Sequence, residues 1–254
     1  EFDAIYIAIG AHTDKKIDIE GKEVEGVISA IEILRKKEDN EPIDFKGKEI
    51  VVIGGGNVAM DVARTAVRLG AKKVTVVYRR RKVDMTAMEE EVEGAIAEGC
   101  KIMDLSVPHR VEKDKDNKIV ALWVKPQIIG RIYTDRPSPV DTDVEEIRIP
   151  CDVLITAVGQ GIESKDFEKD GIPVKRGMID ALDWTGVKDV SGVFAGGDCV
   201  SGPATVIRAI AAGKVAAANI DEYLGYHHEI KSDVKIPEAR LVDRIPCGRV
   251  TLRE

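Results

Sequence analysis

Two triplets, Gly54-Gly55-Gly56 and Arg79-Arg80-Arg81, are the residues of this 254-residue chain whose types and spacing point most directly to chemistry. The glycines follow the apolar run Val51-Val52-Ile53 and precede Asn57-Val58-Ala59-Met60-Asp61, a strand-turn-helix pattern. A turn without side chains in the way lifts a helix N-terminus towards an anion, which the unpaired N–H groups and the positive end of the helix dipole attract. Gly54-x-Gly56-x-x-Ala59 is the dinucleotide fingerprint with alanine at the third small position, and Gly56 lets the backbone approach a pyrophosphate without a clash at Cβ. Gly54, Gly55, Gly56, Asn57, Val58 and Ala59 are therefore the candidate pyrophosphate-binding residues. A purely structural turn is the alternative, and the second apolar run Val74 to Tyr78, which closes a β-α-β unit, argues against it.

At the end of that second run an NAD site would carry an acid for the ribose hydroxyls, whereas this chain has Tyr78-Arg79-Arg80-Arg81. Guanidinium groups are permanently charged planar forks suited to phosphate, so the 2′-phosphate of NADP is the expected partner, with Arg79 and Arg80 favoured over Arg81. The other reading of the run is a solvated basic segment on a surface loop.

Positioning these residues requires an α/β unit, and the rest of the chain supplies one. Phe2 to Ile9 reads as a strand ending in Gly10, residues 12 to 27 as a crossing loop, and Ile28 to Glu38 as a helix. A further helix is expected over Thr86 to Glu98 with Gly99 as its stop, followed by a strand from Cys100 to Leu105. Between Val107 and Ile149 the texture changes to short β segments, Arg110 to Lys113, Lys118 to Lys125 and Val144 to Ile149, with Asp114 to Asn117 as a hairpin turn. The fold expected is thus α/β, a Rossmann-like parallel sheet of the FAD/NAD(P)-binding type with an antiparallel β-meander insertion. A buried strand returns at Asp152 to Gly159, and Gly192 to Asp198 leads through a Gly/Pro turn to an alanine-rich helix, Ala204 to Tyr223.

The formal charge of -7, from 38 basic and 45 acidic residues, is that of an ordinary soluble protein, and the local basic cluster lacks the breadth of a nucleic-acid-binding face. No apolar run approaches the ~20 residues of a membrane span, and the start carries no signal-peptide pattern, so a cytoplasmic protein without nucleic-acid or membrane partners is expected. Cys100, Cys151, Cys199 and Cys247 are too dispersed for a paired redox, zinc or iron-sulfur motif, and each reads as a reduced structural thiol. No metal site is expected.

Ala8-Ile9-Gly10, Gly54 to Asp61, Tyr78-Arg79-Arg80, Ala157-Val158-Gly159-Gln160 and Gly196-Gly197-Asp198 together resemble the two-dinucleotide-binding-domain flavoprotein reductases. Met85-x-Ala87, Glu90-Glu91-Val92, Glu98-Gly99, Gly130-Arg131 and Arg136-Pro137 look like the glutamate synthase small-subunit branch, with Thr86 in place of a usual proline. The resemblance implies FAD beside NADP. It places Gly197-Asp198 against the flavin ribityl chain, Ala204-Thr205 at the helix N-terminus facing the isoalloxazine, and Gly159 among the cofactor-binding residues. A helix amino end there would stabilise negative charge on a reduced ring, and Asp198 can accept from a hydroxyl. The bland alternatives are a turn-forming Gly-Asp and a packing helix.

The same resemblance implies residues 1–11 as the last part of a truncated FAD domain, 12–160 as the NADP domain, 161–224 as the C-terminal FAD-domain segment, and 225–254 as a tail. The glycine fingerprint of the FAD domain and an iron-sulfur stretch would stand before Glu1, so the FAD site is partial in this sequence. The activity implied is hydride transfer from NADPH to FAD, then electron transfer to the iron-sulfur clusters of a partner, an amidotransferase or ferredoxin-type acceptor subunit. Such transfer asks for orientation rather than a protein acid or base, so no catalytic side chain is assigned, and His12, His109, His227 and His228 are read as surface or capping residues. The competing readings are an NADP-binding module without turnover and a pyridine nucleotide-disulfide reductase, the latter disfavoured by the lack of paired cysteines.

Overall fold

The computed structural model describes residues 2–130 and 137–228. Arg131, Arg136, Cys247 and most of the expected tail lie outside them.

β1 (Ile5–Ile7) is shorter than the apolar run around it, and β2 (Thr13–Asp14) follows within the expected crossing loop. β3 (Val27–Ser29) runs straight into α1 (Ala30–Glu38). The β-branched Val27 and Ile28 suit a pleated sheet, and Ser29 then caps the helix, its hydroxyl accepting from the N–H of Glu32 at 3.2 Å. The helix expected from Ile28 therefore starts two residues later, and Ile28 belongs to a strand.

β4 (Glu49–Ile53) passes through the glycine triplet into α2 (Asn57–Arg68), and β5 (Lys73–Val77) follows. A single 3₁₀ turn at Lys82–Asp84 precedes α3 (Glu89–Ala97), which ends at Gly99 with φ +101°, and β6 (Lys101–Met103) returns to the sheet. The meander is β7 (Ser106–Lys113), β8 (Ile119–Ile129), β9 (Pro139–Asp141) and β10 (Ile147–Pro150). β11 (Val153–Thr156) and β12 (Gln160–Gly161) precede α4 (Lys165–Lys169) and the small hairpin of β13 (Val174–Lys175) and β14 (Met178–Ile179). β15 (Val193–Ala195), α5 (Asp198–Ser201) and α6 (Val206–Tyr223) complete the described elements.

The central sheet is parallel throughout, in the order β3-β11-β4-β5-β6. Its strands read as continuous apolar runs because both faces are covered, and the two-residue period of a strand divides their side chains between two cores. Ile50, Val52, Val74, Val76 and Ile155 face the helices, where they meet Met60, Val62, Ala66, Val92 and Ala95. Val51, Ile53, Val77 and Leu154 face the meander, where they meet Val111, Leu122, Val124 and Ile149. The insertion thus roofs the sheet on the side opposite the helices. Burying a side chain such as Met60 or Leu122, each fully enclosed, contributes about 2–3 kcal/mol.

Outside this sheet β1 pairs in parallel with β15, Ile7 opposite Ala195, over a third core of Ile7, Ile179, Val187, Ala195 and Cys199. Arg64 on α2 locks α3, with Nη1 2.6 Å from Glu91 and Nε 2.8 Å from Glu98. The fold is therefore the expected α/β arrangement of parallel sheet and antiparallel meander.

A cofactor cleft at the carboxyl ends of the parallel strands

A cleft of about 950 Å³ opens where β4, β5 and β11 end. The sheet order places strands on both sides of β4 there, which is the topological switch point where open α/β sheets bind ligands. Gly54, Gly55, Gly56, Asn57, Val58, Arg79, Arg80, Gly159 and Ala204 all line it. Ala59 lies beneath the turn, fully buried, so its contribution is the close seating of α2 on the sheet.

The three glycines have three different reasons to be there. Gly54 holds φ +149°, and a Cβ on it would stand 2.3 Å from the carbonyl oxygen of Ala157, so the end of β11 forbids any side chain. A Cβ on Gly55 would stand 2.4 Å from the ring of Tyr78. Gly56 is different: its φ is -102°, and the nearest atom to an added Cβ is Thr86 Oγ1 at 3.5 Å. Neither backbone conformation nor protein neighbours require glycine at Gly56, and a Cβ there would stand in the open cleft.

Gly56 is also the N-cap of α2 and offers no side-chain acceptor. Among the described residues nothing accepts from the backbone N–H groups of Gly55, Gly56, Asn57 and Val58. These donors at the positive helix end form an anion cradle. The Asn57 side chain is anchored, its Oδ1 accepting from the Met88 N–H at 2.9 Å.

The loop after β5 is fastened to the same turn. The Thr86 and Ala87 N–H groups both donate to the Gly55 carbonyl, at 2.9 and 3.0 Å, and the Tyr78 hydroxyl donates to the Asp84 carbonyl at 2.9 Å. This explains why α3 begins at Glu89 rather than Thr86: the preceding residues brace the glycine turn. Arg81 is spent within the loop, its Nε and Nη2 donating to the two carboxylate oxygens of Asp84 at 2.7 and 2.9 Å. Arg80 donates from Nε to the Pro137 carbonyl at 3.3 Å. Arg79 is exposed on the cleft wall and has no ion-pair partner among the described residues. Of the three, Arg79 and Arg80 line the cleft and Arg81 does not.

Lys15 and Lys16 line the opposite wall and escaped the sequence reading, which placed them in a crossing loop. Their position depends on β2 pairing with β12 and on the Lys15 N–H donating to the Gly159 carbonyl at 3.0 Å. The only local hint was a pair of adjacent lysines in an acidic chain.

The residues assigned to flavin stand differently. Gly197, with φ +76°, turns the chain after β15, and Asp198 Oδ1 accepts from the Ala204 N–H at 3.1 Å. Thr205 caps α6 by accepting from the Arg208 N–H at 3.4 Å. Ala204 and Pro203 reach the cleft, whereas Gly197, Asp198 and Thr205 do not line it. The amino-terminal face of α6 is open, with Val206 and Ile207 75% and 79% exposed.

None of the four histidines lines the cleft. Among the described residues no group of acidic, histidine or cysteine side chains is arranged to hold a metal ion, and no helix is long and apolar enough to cross a membrane. Cys100, Cys151 and Cys199 are buried and unpaired. Burial pushes Cys100 up to about 11 and Cys151 up to about 12, and raises Cys199, so none is poised as a thiolate.

The protein family described as pyridine nucleotide-disulphide oxidoreductase matches residues 1–213. The chain belongs to that family. Among its relatives, the NADP(+)-dependent formate dehydrogenase subunit beta of Moorella thermoacetica is 36% identical over 226 residues, covering 88% of this chain and 32% of its own. A putative glutamate synthase [NADPH] small chain of Cereibacter sphaeroides is 31% identical over 248 residues, covering 88% of this chain and 57% of its own. The chain therefore spans roughly a third of one curated relative and little more than half of the other. Glutamate synthase small subunits stand among the homologues as the motifs implied, beside an oxidoreductase subunit of another name. Mycobacterium tuberculosis FprA in complex with NADPH superposes with a TM-score of 0.71 at 19% identity, covering 88% of this chain and 64% of that one, which shows the shared fold.

Proposed function

We propose that this chain carries the NADPH site of an electron-transferring flavoprotein subunit, which passes reducing equivalents from NADPH to FAD and on to iron-sulfur clusters of a partner, as in the glutamate synthase small-subunit group. The observation that carries the reading is the open Cβ space at Gly56 above four backbone N–H groups without acceptors, with Arg79 exposed beside them. A pyrophosphate fits the cradle by charge and by donor count, and a guanidinium without an acidic partner suits a 2′-phosphate. The relatives' names, a formate dehydrogenase subunit beta that is NADP(+)-dependent and a glutamate synthase small chain marked NADPH, support the same nucleotide.

The nucleotide would supply the hydride and the flavin would receive it. This chain's residues hold and orient: the glycine turn and the α2 amino end take the pyrophosphate, Arg79 and Arg80 the 2′-phosphate, and Ala204 brings the start of α6 to the cleft. Residues 12–160 would form the NADP unit, and 1–11 with 161–224 the flavin-facing unit, a division supported by the pairing of β1 with β15. The fit to flavin is partial, since one Asp198 oxygen is already engaged by Ala204 and the face of α6 stands open. That open face favours a second reading, in which this chain by itself binds nucleotide without turnover.

Arg79→Glu tests the nucleotide assignment. The dissociation constant for NADPH should rise about a hundredfold and that for NADH only a few-fold, because only NADPH presents the 2′-phosphate. Equal losses for both would remove the phosphate role. Ferricyanide reduction by NADPH with and without added FAD separates the electron-transferring reading from the binding module.

A further inference from the structure

The cleft has cations on both walls. Arg79 and Arg80 follow β5, while Lys15 and Lys16 lie beside Gly159, where β11 ends. Both lysines are exposed and, among the described residues, neither makes an ion pair, in a chain with 45 acidic residues against 38 basic. The two acids on the same wall are engaged elsewhere. Asp14 accepts from the Ser29 hydroxyl, and Asp18 pairs with Lys22 at 2.9 Å. Lys15 is also held in place: Asp14 opposes Gln160 and Thr13 opposes Gly161 across β2 and β12, and the Lys15 stem lies against Gly159. The four cations lining the cleft still outnumber its carboxylates, and a bound polyanion relieves the repulsion of that surplus.

The strand order gives the ligand a direction. With the pyrophosphate at the turn after β4 and the 2′-phosphate on the β5 side, the other half of the dinucleotide lies over β11. Resting on the NADPH reading above, we infer that Lys15 and Lys16 grip the nicotinamide-side phosphate of the dinucleotide. They act as binding residues indifferent to the 2′-phosphate, complementary to the discriminating arginines on the opposite wall.

The test is the Lys15→Gln/Lys16→Gln double variant, titrated with NADP⁺, NAD⁺ and 2′,5′-ADP, the last carrying the adenosine-side phosphates alone. Affinity for NADP⁺ and NAD⁺ should fall by the same factor, about tenfold, while 2′,5′-ADP binding stays unchanged. The melting temperature should also hold, since neither side chain has an ion-pair partner to lose among the described residues. An equal fall for 2′,5′-ADP would overturn the assignment in favour of a diffuse field, and no fall for any ligand would overturn it outright. If the unsubstituted chain binds none of the three, the NADPH reading itself fails, and the lysine assignment with it. Binding by the parent that the variant retains in full defeats the lysine assignment alone.

Discussion

Alanine at each of the three glycines should separate folding from binding. For Gly54→Ala the costs add on one side: φ +149° strains an L-residue by about 1–3 kcal/mol, and a Cβ 2.3 Å from the Ala157 carbonyl oxygen forces a backbone shift worth about 1–3 more. At ~2–4 °C per kcal/mol for a chain of this size, the melting temperature should drop by about 10 °C. For Gly56→Ala the terms oppose: alanine is a poorer N-cap by several tenths of a kcal/mol, and the less flexible unfolded chain returns about 0.4–1. Its melting temperature should move by less than about 2 °C. Its nucleotide affinity should collapse, because the new Cβ occupies the anion's place and denies it two or more charge-assisted hydrogen bonds. At about 1.5–3 kcal/mol each, that is a loss of more than a hundredfold in Kd. Gly55→Ala should fall between, since Gly55 carries no positive-φ strain but the buried, hydrogen-bonded Tyr78 ring at 2.4 Å must shift. Thermal melts followed by NADPH fluorescence titrations read both axes. A Gly56→Ala protein that binds NADPH like its parent, or a Gly54→Ala protein that melts with it, would refute the division of roles.

Glu112 in the meander accepts two hydrogen bonds from Arg148, at 2.8 and 2.9 Å, and one from Trp123 Nε1 at 2.7 Å, which hold its carboxyl down to about 2. A depressed carboxylate contributes stability that is present above its unfolded value near 4.5 and lost as pH falls towards 2. With a third of the side chain exposed, the contribution is discounted to about 1 kcal/mol. Denaturant melts should therefore show the parent losing that much between about pH 5 and 2 and Glu112→Gln losing none of it. Parallel curves would dismiss the pairing as a stabiliser. In a Cys247→Ser background, Ellman's reagent at about pH 8 should leave Cys100, Cys151 and Cys199 unmodified in the folded protein and label all three on unfolding. Rapid labelling of any of them in the native state would contradict the buried, protonated thiols.

The site was legible where its determinants are local. The glycine turn, the small residue at Ala59 and the forked charges at Arg79 and Arg80 lie within one β-α-β unit, and strand and helix periodicity carry them to the same cleft. Ser29-x-x-Glu32 had the spacing of a capping box and could have fixed the start of α1, had the β-branched pair before it not continued an apolar helical pattern. β9 was missed because three residues become a strand only through their partners, Asp141 opposite Gln127. Lys15 and Lys16 were missed for the same reason, since β12, which places them, lies far along the chain. Short α5 lay hidden in what reads as a Gly/Pro turn, and only the Asp198 carboxylate reaching Ala204 shows how that turn is closed.

The double grip of Thr86 and Ala87 on the Gly55 carbonyl bears on how cofactor preference can be redesigned. The loop that carries the arginines is stitched to the turn that carries the proposed pyrophosphate donors, and Tyr78 is both the seat of Gly55 and the start of that loop. Exchanging Arg79 alone removes an attraction but builds no acceptor for a bare ribose. A switch to NADH is therefore a cassette problem: residues 78–87 must be transplanted as one block, with the stitching kept, for the new acid to face the sugar without the phosphate cradle drifting.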